Sequence, residues 1–330
     1  MRNFLTLLVA GSLVSQTVDA AVCIGKNCDL IDLAAKSAGL SLNQVLAELD
    51  SNIVDPIVDS QRRLASWEGG MLQFTPRGSE SSVKVTLWGG GAWRYVDISN
   101  SVFGASVNFG YYTGSSSLSL GVEIPVNKRT DIILNGAFWS GASDYGTGLA
   151  QEDMRETSGR FGIGARQKFY STGISDVFGV GGFVIGHKSA DVSLDGRSIS
   201  IRIPSGRLTW SGEEKYSEKS TYVSTPVLLG VAFNLPWVTL SVAGGGSVVF
   251  QQGKIDLSKW GPIGPYGGYY NVGAASERDT TGFTLVPMVT LGAETGLERG
   301  PSLSVNFRPG LNNSPMGGSV GIGWKFLVSK

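Results

Sequence analysis

Apolar and polar residues alternate with a period of two along most of the chain. In segments such as 102–112, 158–169 and 318–328, every second position is apolar, and glycine, serine or charged residues lie between. A period of two is typical of β-strands that have one apolar face. We therefore predict an all-β, antiparallel architecture from about Gly69 to the end of the chain.

The alternating segments and the turn residues between them predict eleven strands. They cover residues 83–96, 102–112, 115–125, 130–139, 158–169, 176–186, 221–234, 237–250, 281–296, 301–308 and 318–328. An even number of strands brings both ends of a barrel to one side, so we predict that residues 70–75 add a short twelfth strand. Residues 190–203 also alternate around Asp195-Gly196. We favour a hairpin beyond the membrane there, and the alternative is two further strands, for a total of fourteen.

A soluble β-sandwich also alternates, so the period alone leaves a secreted sandwich open. Three further features favour a transmembrane barrel. Many segments are about 10 to 14 residues long, which is enough to cross hydrocarbon at a tilt. Aromatic residues such as Trp139, Trp237 and Trp324 lie near segment ends. Short connections alternate with long ones at 140–157, 187–220 and 251–280.

Together these features resemble the outer-membrane β-barrel proteins of Gram-negative bacteria as a class. The resemblance covers about residues 69–326 and implies insertion into outer-membrane lipid by the barrel-assembly machinery. Such barrels often end on an aromatic residue, whereas here Phe326 is followed by Leu-Val-Ser-Lys. The alternation nevertheless continues through Trp324, Phe326 and Val328, as in a closing strand.

Two segments precede the predicted barrel of residues 69–330. Residues 1–20 are typical of a signal peptide, with Arg2, an apolar stretch at 4–14 and a small-residue cleavage site at 18–20. Residues 21–68 have apolar positions at helical spacing, and Ser41 with Gln44 forms a capping-box pattern. We predict a short helical segment here, which is either periplasmic or a plug in the barrel lumen.

The few residues with reactive side chains favour a protein without enzymatic activity. Cys23 and Cys28 predict a disulfide in an oxidising compartment, and two thiols without a nearby histidine do not predict a metal site. His187 is the sole histidine, and Ser189 follows it two positions later. This spacing resembles that of the catalytic histidine and serine in outer-membrane phospholipase. The surrounding phospholipase motif is absent, so we predict no catalytic residues and no cofactor.

The distribution of charged residues limits the classes of binding partner and predicts which side chains face the lumen. The formal net charge is zero and the basic residues are scattered, which excludes a nucleic-acid surface. Because charge is costly toward lipid, charged residues within strands should face the lumen. The inward basic residues are Lys84, Arg94, Arg160, Arg166, Lys168, Arg308 and Lys325, and the inward acidic residues are Glu123, Asp131 and Glu294.

Two functional hypotheses follow from this pattern. The first is a channel for small solutes, plugged or gated by its N-terminal helices, with a preference for anions because basic residues predominate. The second is a closed barrel with a structural, adhesive or partner-binding role through long external loops such as 251–280. In both hypotheses the inward charges are also able to pair with each other or to hold the N-terminal segment.

Overall fold

The architecture is a single antiparallel sheet. The computed structural model describes residues 22–23, 32, 36, 41, 43–44, 72–79, 82–102, 105–147, 150–195, 199–203, 206–210, 212–265, 270–295, 299–308 and 316–328. The strands among them are β1 (Val22–Cys23), β2 (Val83–Val102), β3 (Ala105–Asn127), β4 (Thr130–Thr147), β5 (Ala150–Ser171), β6 (Ser175–Asp195), β7 (Ile199–Ile203), β8 (Gly206–Trp210), β9 (Glu213–Asn234), β10 (Val238–Pro265), β11 (Tyr270–Asp279), β12 (Gly282–Thr295), β13 (Gly300–Arg308) and β14 (Met316–Val328).

Ten of these strands form a closed barrel. Around the ring they follow the order β10, β12, β13, β14, β2, β3, β4, β5, β6 and β9. Two pairings complete the closure: β14 with β2, where Val328 is opposite Val83, and β9 with β10, where Asn234 is opposite Thr239. Closure leaves no edge strand in the ring, so every wall strand is paired on both sides.

The predicted count of twelve strands, with fourteen as the alternative, is wrong. Residues 105–112 and 115–125, predicted to lie in two separate strands, belong to the single strand β3, which continues through Gly114, and Val102 ends β2. Of the predicted strand at 70–75, the structure describes Leu72 to Thr75, and none of these residues is in a strand. The predicted hairpin at 190–203 adds no crossing, because its first arm continues β6 and its second arm, β7, pairs with β8.

The barrel has a short and a tall end. The connections at residues 128–129, 172–174 and 235–237 are short and lie at one end of the ring. At the other end, much of the predicted long loops continues the wall as β-hairpins: β4 and β5 pair from Thr147 with Ala150, and β10 continues to Pro265 and pairs with β11. In outer-membrane barrels the short turns are periplasmic and the long connections are external. We call the two ends periplasmic and external on this basis.

The exterior carries an apolar belt. On β5 the outward residues Phe161, Ile163 and Phe169 are exposed at 54%, 47% and 57% of their surface. Eight residues at about 3.3 Å each and a tilt of about 40° give a belt of about 20 Å, close to the thickness of barrel membrane faces. Above the belt, outward positions become polar, as at Thr157 and Thr221. An apolar exterior around a charged interior identifies a membrane barrel.

The N-terminal region is described only in part. Ser41 N donates to Gln44 Oε1 at 2.8 Å, and Gln44 N donates to Ser41 Oγ at 3.3 Å, which are the reciprocal bonds of a capping box. Asp32, Lys36 and Asn43 are also helical, whereas Val22 and Cys23, which were included in the predicted helical segment, form β1. The rest of that segment, including Cys28, and the predicted signal peptide lie outside the described residues. Within the described part of the chain, no helix has the length and apolar character needed to span a membrane.

A charged residue placed in the apolar belt tests whether the belt faces lipid. Ala165 faces outward midway between Phe161 and Phe169, so Ala165→Arg should lower the free energy of unfolding by about 2–4 kcal/mol in lipid vesicles. Thr157→Arg, on the same face of β5 above the belt, is the matched control and should cost no more than about 1 kcal/mol. Denaturant titration of both variants measures the difference. Equal costs would contradict a lipid-facing belt.

Candidate functional site in the lumen

The lumen holds a segment of the chain itself. Residues 72–79, which we call the plug segment, lie inside the barrel immediately before β2. Leu72, Phe74, Thr75 and Ser79 are each at most 7% exposed. The sequence predicted a plug in the helical residues before this point, and a strand here. The structure instead brings a non-helical segment into contact with the wall.

Three wall carboxylates accept the backbone N–H groups of the plug segment. Thr75 N donates to Glu123 Oε1 at 2.5 Å, and Thr75 Oγ1 donates to Glu123 Oε2 at 2.9 Å. Arg77 N donates to Glu294 Oε1 at 2.7 Å. Ser79 N donates to Asp131 Oδ2 at 3.3 Å. The three inward acidic residues of the sequence prediction therefore each hold one of three alternate backbone amides.

Wall cations hold the carbonyl groups of the plug segment. Arg166 Nη1 donates to Thr75 O at 2.6 Å. Lys84 Nζ donates to Thr75 Oγ1 at 3.1 Å and also to the carbonyl oxygen of Gly78. Gly78 closes a turn onto Thr75 with a φ of +71°, and a Cβ there would collide with the Asp131 carboxylate. Both the peptide donors and the peptide acceptors of this turn are thus bonded by charged side chains.

The same cations also pair with carboxylates around the plug segment. Lys84 Nζ and Lys325 Nζ lie 3.6 Å and 3.4 Å from Glu294 Oε2. Lys168 Nζ lies 3.7 Å from Asp176 Oδ2, and the Arg166 guanidinium stacks 4.1 Å from the centre of the Phe178 ring. Removing one member of a buried pair leaves the other uncompensated, at a cost of about 3–5 kcal/mol. The network consequently depends on all its members being present.

Glycines in the wall make room for the apolar side chains of the plug segment. A Cβ on Gly162 would lie 3.0 Å from Leu72 Cδ1, and one on Gly182 would lie 3.2 Å from Leu72 Cδ2. A Cβ on Gly292 would lie 2.9 Å from Pro76 Cγ. Phe74 packs edge-on against Phe178, with ring centres 5.8 Å apart. The wall accommodates the plug segment because these glycines have no side chains.

A second polar layer lies toward the external end of the lumen. Lys188 Nζ lies 3.5 Å from Glu218 Oε2, and both side chains are fully buried. Gln251 Nε2 donates to Glu218 Oε1 at 3.0 Å, and the Arg160 guanidinium stacks 4.2 Å from the centre of the Trp139 ring. Sequence reasoning missed Glu156, Lys188 and Glu218 because it assigned them to loops. Continuing the period of two into those regions would have found them.

The buried charges are balanced. Among the side chains that the structure describes, the buried basic residues are Lys84, Arg160, Arg166, Lys168, Lys188 and Lys325. The buried acidic residues are Glu123, Asp131, Glu156, Asp176, Glu218 and Glu294. The backbones of Arg94 and Arg308 lie on either side of β14, opposite Gly317, and their side chains are outside the described set. These twelve buried residues are six basic and six acidic side chains. They therefore lack the excess of basic residues on which the predicted anion preference was based.

The residues considered for catalysis lie away from the lumen. His187 is exposed on the outward face of β6, with Nδ1 at 3.4 Å from Oγ1 of its cross-strand neighbour Thr221. Ser189 lies opposite Lys219. Cys23 is in β1, and its pairing with Cys28 stays a prediction. The plug segment and its wall contacts are therefore the candidate functional site.

Comparisons with known proteins find similar solved structures but no matching family model or curated sequence. No family model matches the chain. No curated protein sequence matches it either. Its fold is similar to the translocator domain of autotransporter NalP from Neisseria meningitidis, with 14% identity and a TM-score of 0.41 over 85% of this chain and 99% of that one. It is also similar to the outer membrane protease OmpT from Escherichia coli, with 10% identity and a TM-score of 0.42 over 78% and 99%.

A third solved structure has the same general architecture. The outer membrane protein OprG from Pseudomonas aeruginosa is 13% identical, with a TM-score of 0.31 over 76% of this chain and 99% of that one. At these identities the likeness concerns the barrel and no particular activity.

Filling the space occupied by Leu72 should dislodge the plug segment. Gly162→Leu overpacks this contact, and overpacking costs about 1–3 kcal/mol, so amide exchange of residues 72–79 should become roughly tenfold to a hundredfold faster. Adding Leu72→Ala to Gly162→Leu restores the space and should restore the protection. Hydrogen exchange read by mass spectrometry measures both.

Gly136→Leu is the matched control for a larger residue in a wall strand. A Cβ at Gly136 would meet no atom within 4 Å, so exchange of residues 72–79 should not change in this variant. Unchanged exchange in Gly162→Leu as well would show that Leu72 does not hold the segment in the lumen.

Proposed function

We propose that this protein is an outer-membrane channel for small solutes that its own residues 72–79 close. The observation that carries the proposal is the capture of the Thr75, Arg77 and Ser79 amides by Glu123, Glu294 and Asp131. The wall of the lumen carries buried charged side chains, as a water path requires, together with an apolar cluster that includes Phe178, Val180 and Val184, and a segment of the same chain fills it. The predicted signal peptide and the apolar belt support placement in the outer membrane.

The chemistry of the contacts favours a plug that is able to leave. Its anchors are hydrogen bonds to charged groups, each with a net worth of about 1.5–3 kcal/mol, and water satisfies the same groups when the segment departs. Only Leu72 and Phe74 contribute large buried apolar side chains. Such a segment exchanges with water more readily than one held by an apolar core.

The balanced wall changes the expected selectivity. Six buried cations face six buried carboxylates, so no single-sign ring of charge dominates the described lumen. Rings of one charge select ions in pores, and a balanced wall selects weakly. We therefore propose passage of small solutes without the anion preference that the sequence suggested.

The alternative is a permanently closed barrel with a structural or partner-binding role. Lys188 and Glu218 favour it, because both are fully buried and so leave no water space around them at that level of the lumen. The tall hairpins beyond the belt would then display the binding surface. Conductance measurements separate the two functions.

Opening the plug should create a conducting pore. In Leu72→Asp/Phe74→Asp, two buried carboxylates replace apolar side chains, at several kcal/mol each, so the plug segment should leave the wall. We expect conductance steps in planar bilayers that are rare or absent in the wild-type chain. The control is Val126→Asp, an exposed position beside a short connection, which leaves the lumen unchanged. A well-folded double variant without conductance would favour the closed barrel.

A reversible lock sharpens this test. The Ser119 hydroxyl donates to Gln73 Oε1, so Gln73→Cys and Ser119→Cys bring two thiols together. In the opened variant, with Cys23 and Cys28 changed to serine, oxidation should close the pore and reduction should reopen it. If conductance were the same under oxidising and reducing conditions, ions would not pass through the part of the lumen that the plug segment occupies.

The opened channel should discriminate weakly between K⁺ and Cl⁻. A reversal potential near zero in a KCl gradient is expected, because the wall charges balance. Glu294→Gln and Asp131→Asn in the opened channel should shift the potential toward Cl⁻ selectivity. Glu277→Gln, exposed on β11, is the matched control and should have no effect. Strong selectivity before any charge is removed would contradict the balanced wall.

A further inference from the structure

The two ends of the described N-terminal region lie at opposite ends of the barrel. In β1, Val22 pairs with Ala275 and Cys23 with Ala274 of β11. β11 in turn pairs with β10 from Lys254 to Ile263, where Ala274 is opposite Lys259. Both partners of β1 therefore belong to the tall hairpins.

The height of this pairing is well beyond the membrane. Lys259 is 21 residues along β10 from Val238, which follows a short connection. At about 3.3 Å per residue and a tilt of about 40°, this places Lys259 about 50 Å above the periplasmic end. The hydrocarbon that an outer-membrane barrel crosses is only about 25 Å thick. Val22 and Cys23 thus lie on the external side by a wide margin.

The plug segment lies near the other end. Thr75 and Ser79 contact Glu123 and Asp131, and the chain then enters β2 at Val83, which pairs with Val328 near the end of the last strand. The closed wall offers no gap between neighbouring strands, and its exterior is apolar. Cys23 lies beyond the external end of the barrel, whereas Leu72 lies inside the lumen.

We propose that Val22 and Cys23, which follow the predicted signal peptide, are displayed on the external surface by strand addition to β11. Backbone pairing to an exposed sheet edge is an established mode of holding an extended segment. Among the described residues, the outer edge of β11 pairs only with β1, at Ala274 and Ala275. The inference rests on the outer-membrane placement of the proposed function, but not on conduction.

Surface labelling tests the proposal with the full chain. An epitope tag is inserted between Ala21 and Val22, and the protein is expressed in a Gram-negative host. A tag at residues 266–269, between β10 and β11, is the external control, and a tag between Lys128 and Arg129 is the periplasmic control. Antibody binding is compared on intact and permeabilised cells.

We expect the N-terminal tag to be labelled on intact cells to the same extent as the tag at 266–269. Labelling only after permeabilisation, as for the tag at Lys128, would overturn the proposal. If the tag at 266–269 also required permeabilisation, the outer-membrane placement would fail, and the external display of Val22 and Cys23 with it. Conductance of the opened variant is independent of both results.

A cross-link tests the strand pairing without a tag. Cys23 is opposite Ala274, and opposed residues in antiparallel strands have Cα atoms about 4.5–5.5 Å apart, within disulfide reach. In a Cys28→Ser background, Ala274→Cys should cross-link to Cys23 under mild oxidation. Asn271→Cys, three residues away on the same strand and about 10 Å distant, should not. Equal cross-linking of both, or of neither, would overturn the pairing.

Discussion

The pairing of backbone hydrogen-bonding groups governs this structure. No water is available in hydrocarbon, so the wall strands must satisfy each other's N–H and C=O groups around a closed ring. In a closed ring the backbone groups of each strand point toward the neighbouring strands and not into the lumen. The plug segment therefore depends on side chains: Glu123, Glu294 and Asp131 accept its amides, and Arg166 and Lys84 bond its carbonyls. The charges around the plug segment lie where a peptide needs both donors and acceptors.

Much of the wall is predictable from the sequence because membrane burial acts on every second residue. The inward assignments of Glu123, Asp131 and Glu294 needed only the period of two and the cost of charge toward lipid. The strand count was less accessible. Gly114 interrupts the pattern as a turn would, but β3 continues through it, since a glycine costs a paired strand little compared with breaking the ring. The local sequence pattern does not show whether the chain turns at Gly114 or continues through it as one strand.

The tall hairpins and the plug segment escaped prediction for two different reasons. Beyond the belt the outward face of a strand no longer meets lipid, so the apolar alternation weakens while the backbone pairing continues, as it does from Thr147 to Ala150. Residues 70–75 have the alternation of a strand because Leu72 and Phe74 face glycines and Phe178 while their neighbours meet polar wall groups. A period of two arises wherever an extended segment has one apolar and one polar side. A segment inside the lumen meets these conditions, as a strand in a sheet does.

The position of the plug segment in the chain explains how polar contacts suffice to hold it. Ser79 is separated from Val83 by only three residues, so the segment stays within reach of its site whether it is bound or released. A short tether gives an effective concentration on the order of millimolar, and the anchors need not also offset the loss of free diffusion. Replacing peptide–carboxylate bonds by water–carboxylate bonds is then the main cost of leaving. A covalently tethered segment with polar anchors suits a closure that reverses, whereas a permanent seal would gain more from apolar side chains packed against the wall.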